Sequence, residues 1–180
     1  MKPSGIALPL FLVLLVASLA SCGAGVAPAT TAVSAPYSDP FAYCAAVGTM
    51  DAPGATYSGP QAPKSVAQGL QKALKAPDTP LSVLQNGLSW RCMDGNVYAC
   101  FVGANLPCDA KANADRSPTE AEIGFCEQNP TSDFIPAVVT GRETIFEWRC
   151  RNGAPEIVRQ VFQPDAQGFL SDFWYQISPD

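Results

Sequence analysis

This 180-residue chain contains no histidine, so the residues with chemistry to offer are seven cysteines, two arginines in matching surroundings and a scatter of carboxylates. Without His there is no Ser–His–Asp or Cys–His couple, no His-ligated zinc and no imidazole pH switch. The cysteines are Cys22, Cys44, Cys92, Cys100, Cys108, Cys126 and Cys150. Seven is an odd number, and an odd cysteine in an exported protein calls for a role of its own. The last six stand 48, 8, 8, 18 and 24 residues apart, with no Cys-x-x-Cys among them. That spacing favours disulfides over a metal site, and no metal or other cofactor is expected. Many pairings are open to six cysteines, and spacing does not choose among them.

The arginines belong to an internal echo. Ser89-Trp90-Arg91-Cys92-Met93-Asp94-Gly95 resembles Glu147-Trp148-Arg149-Cys150-Arg151-Asn152-Gly153, with a turn dipeptide two places after each Cys. In a strand, Trp and Cys share one face and Arg takes the other. Trp90, Cys92, Trp148 and Cys150 are therefore expected inside, and Arg91 and Arg149 outside. Two outward guanidinium forks make a candidate anion contact. Glu147 shares the Arg149 face and competes for it. Among carboxylates, Glu120, Glu122, Glu127, Asp133, Glu143 and Glu147 are the candidates for paired acid–base work on a glycosidic bond. None lies in a recognisable catalytic motif, and Glu120 reads as a helix-cap residue, so no catalytic residue is assigned.

Residues 1–22, MKPSGIALPLFLVLLVASLASC, set Lys2 before an apolar run and then small residues. That is the order of a secretory signal, and the run is shorter than the ~20 residues of a membrane span. Its end, Leu19-Ala20-Ser21-Cys22, resembles the lipobox of bacterial lipoproteins. The resemblance covers the processing signal alone. It implies that residues 1–21 are removed, that Cys22 becomes the acylated first residue, and that the membrane lipid is the first partner. Gly23 after the Cys implies the outer membrane where the cell has one. Setting Cys22 aside leaves six cysteines to pair. Ordinary secretion with cleavage near Ala24 or Ala27 is the alternative.

The elements that must position these residues follow the signal. Residues 23–36, GAGVAPATTAVSAP, are uncharged and lack amphipathic period, so 22–38 reads as lipidated Cys and flexible tether. A single domain is expected over 39–180. Ser65-x-x-Gln68 predicts a capped helix ended by Pro77, and Thr79-Pro80 a short helical turn ended at Asn86-Gly87. Ser117-Pro118-Thr119-Glu120 predicts a helix running to about Gln128. Asp94-Gly95 predicts a hairpin. A meander follows, over Phe134–Val139, Glu143–Arg151, Glu156–Phe162 and Phe169–Ile177, with Pro136 marking the first run as an edge or bulge. A two-residue loop at Asn152-Gly153 sets Arg149 opposite Glu156, and a three-residue loop sets Glu147 opposite Arg159. The last run alternates aromatics with Leu170 and Trp174, which predicts a central strand covered on both faces. The fold class expected is α+β: a small antiparallel sheet with a C-terminal meander and two or three short helices, stapled by disulfides.

After Cys22, 16 acidic residues against 10 basic ones leave a net charge near −6, without runs of like sign. Such a balance argues against a phosphate-bound nucleic acid. The chain is thus expected to be exported, lipid-anchored and engaged with an envelope protein or polymer as a non-catalytic binding module. A carboxylate-based hydrolase of envelope polymers is the alternative.

Overall fold

Asp39 and Pro40 open the first element. A computed structural model describes residues 36–101 and 108–179, which belong to one compact unit. Helix α1 (Pro40–Val47) begins where the Asp39 carboxylate accepts from the Ala42 N–H at 2.7 Å, with Pro at the first helical position, and ends at Gly48, φ 77°. This helix was not among the expected elements, although Asp-Pro before an apolar run is a start signal. Helix α2 (Lys64–Ala73) buries Val66, Ala67 and Leu70. The Ser65–Gln68 box does not form: Pro63 stands at the cap, without a side-chain bond. At Gly69 the helix approaches the last strand so closely that a Cβ would overlap Ile177 Cγ2. Helix α3 (Leu81–Asn86) stops at Gly87.

Strands β1 (Leu88–Met93) and β2 (Asn96–Phe101) form the expected hairpin. Met93 pairs with Asn96, and Asp94 and Gly95 both take positive φ, 52° and 78°, as the two-residue turn that matches strand twist requires. Helix α4 (Glu120–Gln128) ends at Asn129 as expected, but its cap is Thr119 rather than Ser117. Thr119 and Glu122 bond each other's backbone N–H groups, satisfying two orphan donors at once.

The run at 134–139 is not a strand. Residues 132–135 lie along the next strand through Cys150 N–H to Ser132 O and Ile135 N–H to Trp148 O. Pro136 then caps a short helix, α5 (Ala137–Thr140). Strands β3 (Phe146–Arg151) and β4 (Ala154–Gln160) form the second hairpin, over Asn152 and Gly153 at φ 53° and 80°. Its two-residue loop sets Arg149 opposite Glu156. A bulge between Glu147 and Trp148 passes over Val158, so Glu147 also meets Arg159. Both charge pairs that the loop lengths separated thus coexist, because one extra residue changes the register partway along the strand.

The expected long last strand is broken by a 3-10 turn, Ser171–Phe173, and β5 is only Tyr175–Ile177. β5 pairs with β2, giving a sheet ordered β1-β2-β5, while β3-β4 form a second sheet. The central strand of that sheet is therefore β2, and β5 is an edge. The fold is α+β, with short helices and small antiparallel sheets.

Each sheet has its own core. Tyr43, Leu70, Trp90, Cys92, Val97 and Ile177 pack between α1, α2 and the first sheet. Cys126, Ile135, Phe146, Trp148, Cys150 and Leu170 pack under the second. Each large apolar side chain fully withdrawn from water contributes about 1.5–3 kcal/mol. The other face of the first sheet is covered by Phe169 and Trp174, beside Cys100 and Cys108.

Candidate functional site

The six domain cysteines form three disulfides. Cys44 of α1 joins Cys92 of β1, Cys100 of β2 joins Cys108, and Cys126 of α4 joins Cys150 of β3. Their Cα separations of 5.1, 5.9 and 5.2 Å lie in the range a disulfide needs. Two of the bridges tie a helix to a sheet. Cys22 lies outside the described residues.

Arg91 departs from expectation. Trp90 and Cys92 face the core as period two requires, yet Arg91 on the opposite face is also fully buried. The cause is the chain from Asp165 to Trp174, which folds back over that face. The guanidinium bonds the Asp165 carboxylate and the Gln167 side-chain oxygen. Phe169 and Trp174 flank it, their ring centroids 4.5 and 4.4 Å from its central carbon. Asp165 is itself held by N–H groups of Gln167 and Phe169. The cation is thus neutralised and enclosed by its own loop, which leaves Arg91 inside the fold rather than at an outward anion contact.

Arg149 stands in the other sheet and bonds Glu156 at 3.1 Å. That bond, with Arg149 and Arg151 close by, holds the Glu156 carboxyl below the usual range. The two arginines of the echo therefore serve two sheets, each with its own carboxylate.

The candidate carboxylates are similarly placed one by one. Glu120, Glu122 and Glu127 belong to α4, with Glu122 buried in the capping box and the other two exposed. Asp133 is exposed, Glu143 is half-buried, and Glu147 bonds Arg159 at 2.6 Å. Among the described residues, no cluster of three or more Cys, Asp or Glu is arranged to hold a metal ion.

Two concavities stand out among the described residues. A cleft of about 370 Å³ lies over the Arg91 loop, walled by Trp90, Trp174 and Phe169 and rimmed by Asp51, Asp109 and Lys111. Its rim groups bond one another. Lys111 reaches Asp51 at 2.5 Å and lies 3.8 Å from the Phe169 ring centroid, Gln167 donates to Asp51, and Ser89 donates to Asp109. The bond from Lys111 is the chief reason that the Asp51 carboxyl titrates below its ordinary range. A lowered folded-state value means that this clasp stabilises the fold fully above the ordinary Asp range and loses its effect as pH falls through the lowered one. Both side chains are about half exposed, 48% and 54%, so the effect is small, about 0–1 kcal/mol. Asp51→Asn should lower the urea midpoint slightly at neutral pH, and the difference from the parent should close in strong acid. A difference that persists unchanged in acid would contradict the clasp.

The second concavity, about 470 Å³, lies between α5, the 134–135 segment and β3, with Phe162 and Phe173 behind. Its lining includes Phe146 and Trp148, and its charged groups among the described residues are Arg142 and Glu147. Helix α5 stands where the sequence predicts an edge strand or bulge over residues 134–139. The available signal was Pro136 followed directly by Ala-Val-Val, a helix start with apolar residues and no polar face to turn outward. The structure leaves Phe134 62% and Val138 91% exposed.

Comparison of the chain with protein-family models, with curated proteins and with solved structures finds no match.

Proposed function

We propose that the protein is an exported lipoprotein of the cell envelope, anchored through an acylated Cys22, whose disulfide-stapled domain is a non-catalytic binding module. Cysteine parity carries the reading. Six of the seven cysteines are joined in pairs within the domain, which singles out the one that ends the lipobox-like Leu19-Ala20-Ser21-Cys22. Three bridges also suit an oxidising compartment. The roles of Glu122 in a helix cap and of Glu147 in a cross-strand pair favour binding over hydrolysis. In a cell with an outer membrane, Gly23 makes that membrane the destination.

Two or more acyl chains give stable anchoring, since each buried methylene contributes about 0.8 kcal/mol and a single chain is marginal. Cys22→Ser should therefore release the protein from membranes, and the variant exported under a conventional signal should still form its three bridges. Mass spectrometry of the mature amino terminus should find lipid on Cys22, and cross-linking in intact cells should recover an envelope partner. An unmodified terminus that starts beyond Cys22 would remove the anchor. Repeated cross-linking without any partner would count against the binding role.

A further inference from the structure

The groove beside α5 combines an apolar floor with one unpaired cation at its rim. Trp148 and Phe146 are almost fully buried at its base. Phe134, at its edge, is 62% exposed. Val161, also in the lining, is 38% exposed, so the groove edge offers apolar surface to a ligand. The two charged lining residues differ in state. Glu147 is occupied by Arg159 at 2.6 Å, whereas Arg142 is exposed and makes no hydrogen bond or ion pair among the described residues. A second cation, Arg116, stands 5.0 Å from the Phe146 ring centroid. At about 470 Å³ the space lies at the lower end of the range for one small ligand, and such sites are largely apolar with a few polar groups that fix orientation.

From this geometry we infer that the groove binds a single fatty acid, its hydrocarbon chain on Trp148, Phe146 and Phe162 and its carboxylate on Arg142. An apolar floor selects the chain, and the planar guanidinium fork matches a carboxylate. Glu147 at this rim is paired with Arg159, while the Glu143 carboxylate lies beside Gly141 and is the anion a bound carboxylate would have to avoid. Thr144 adds a polar group at the same rim, its hydroxyl oxygen accepting from the Phe146 N–H at 3.2 Å. The assignment rests on reading the domain as a binding module and supplies that module with a ligand class. The polar rim groups of the other cleft bond one another, and Arg142 has no such partner among the described residues.

The test uses the full lipidated chain in its own membranes and a diazirine-bearing palmitate as probe. Photolabelling followed by peptide mapping should place saturable adducts on the peptides that contain Phe134–Trp148 and Phe162–Phe173. Unlabelled palmitate should compete, and methyl palmitate, which lacks the anion, should compete at least about tenfold less well. Arg142→Glu should weaken labelling by at least about tenfold. Ala137→Trp, at an exposed lining position, should fill the groove and abolish labelling without shifting the thermal midpoint. Adducts that do not saturate, or that spread over the whole domain surface, would show simple bilayer contact and overturn the site. Equal competition by methyl palmitate would overturn the carboxylate contact, and cross-linked dimers joined at Phe134 would assign the groove to a second copy of the chain instead. The amino-terminal peptide of the same samples reports acylation of Cys22. An unlabelled groove on acylated protein rejects the ligand alone, and a labelled groove on protein without lipid rejects the anchor alone.

Discussion

Asp165→Asn should destabilise the domain by about 3–5 kcal/mol, the cost of leaving a buried cation without its counter-ion. Arg91 has no exposed side-chain surface and Asp165 only 9%, so water cannot take over the lost role. The amide keeps an oxygen for the N–H groups of Gln167 and Phe169, so the loop geometry survives and the missing charge dominates. Gln167 can still accept one guanidinium bond, which softens the loss without removing it. Adding Arg91→Met should recover a substantial part, because an apolar chain between Phe169 and Trp174 needs no counter-ion. Urea unfolding of the Cys22→Ser mature chain, with bridges intact, measures both. A loss below about 1 kcal/mol in the single variant, or a double variant less stable than the single one, would show that the ion pair does not hold this loop.

The second large effect belongs to the Cys44–Cys92 bridge. It spans 48 residues, against 24 for Cys126–Cys150 and 8 for Cys100–Cys108. If constraint of the unfolded chain dominates, removing these bridges costs about 4, about 3.5 and about 2.5 kcal/mol in that order. Cys44 and Cys92 are also buried against Tyr43, Trp90 and Leu70, so their loss loosens the seat of α1 on β1. Whole domains are stable by only about 5–15 kcal/mol, so Cys44→Ala with Cys92→Ala should leave the fold marginal. Exported yield and urea midpoints of the three paired Ala variants test the ranking. A Cys100–Cys108 variant that proves the least stable would mean that native-state packing, not loop closure, sets the contribution of each bridge.

Sequence alone determined the features written in a few neighbouring residues. Asp94-Gly95 and Asn152-Gly153 specify their turns because both residues of each must take positive φ, which few pairs tolerate. The side on which Trp90, Cys92, Trp148 and Cys150 lie follows from strand period alone. Asp39-Pro40 is equally local, a cap and a first-turn proline in two neighbouring residues, while at α4 the box two residues past Ser117 satisfies more donors than the expected cap. Tertiary structure decided the rest. Arg91 is enclosed because a loop 74 residues further along carries Asp165 back to it, and nothing near Arg91 encodes that return. The choice of disulfide partners, the transfer of β5 to the first sheet and the groove beside α5 have the same origin. Each depends on which distant surfaces meet once the chain has closed its long loops. That outcome is set by the total apolar area buried and the charges neutralised, not by the preferences of any one segment.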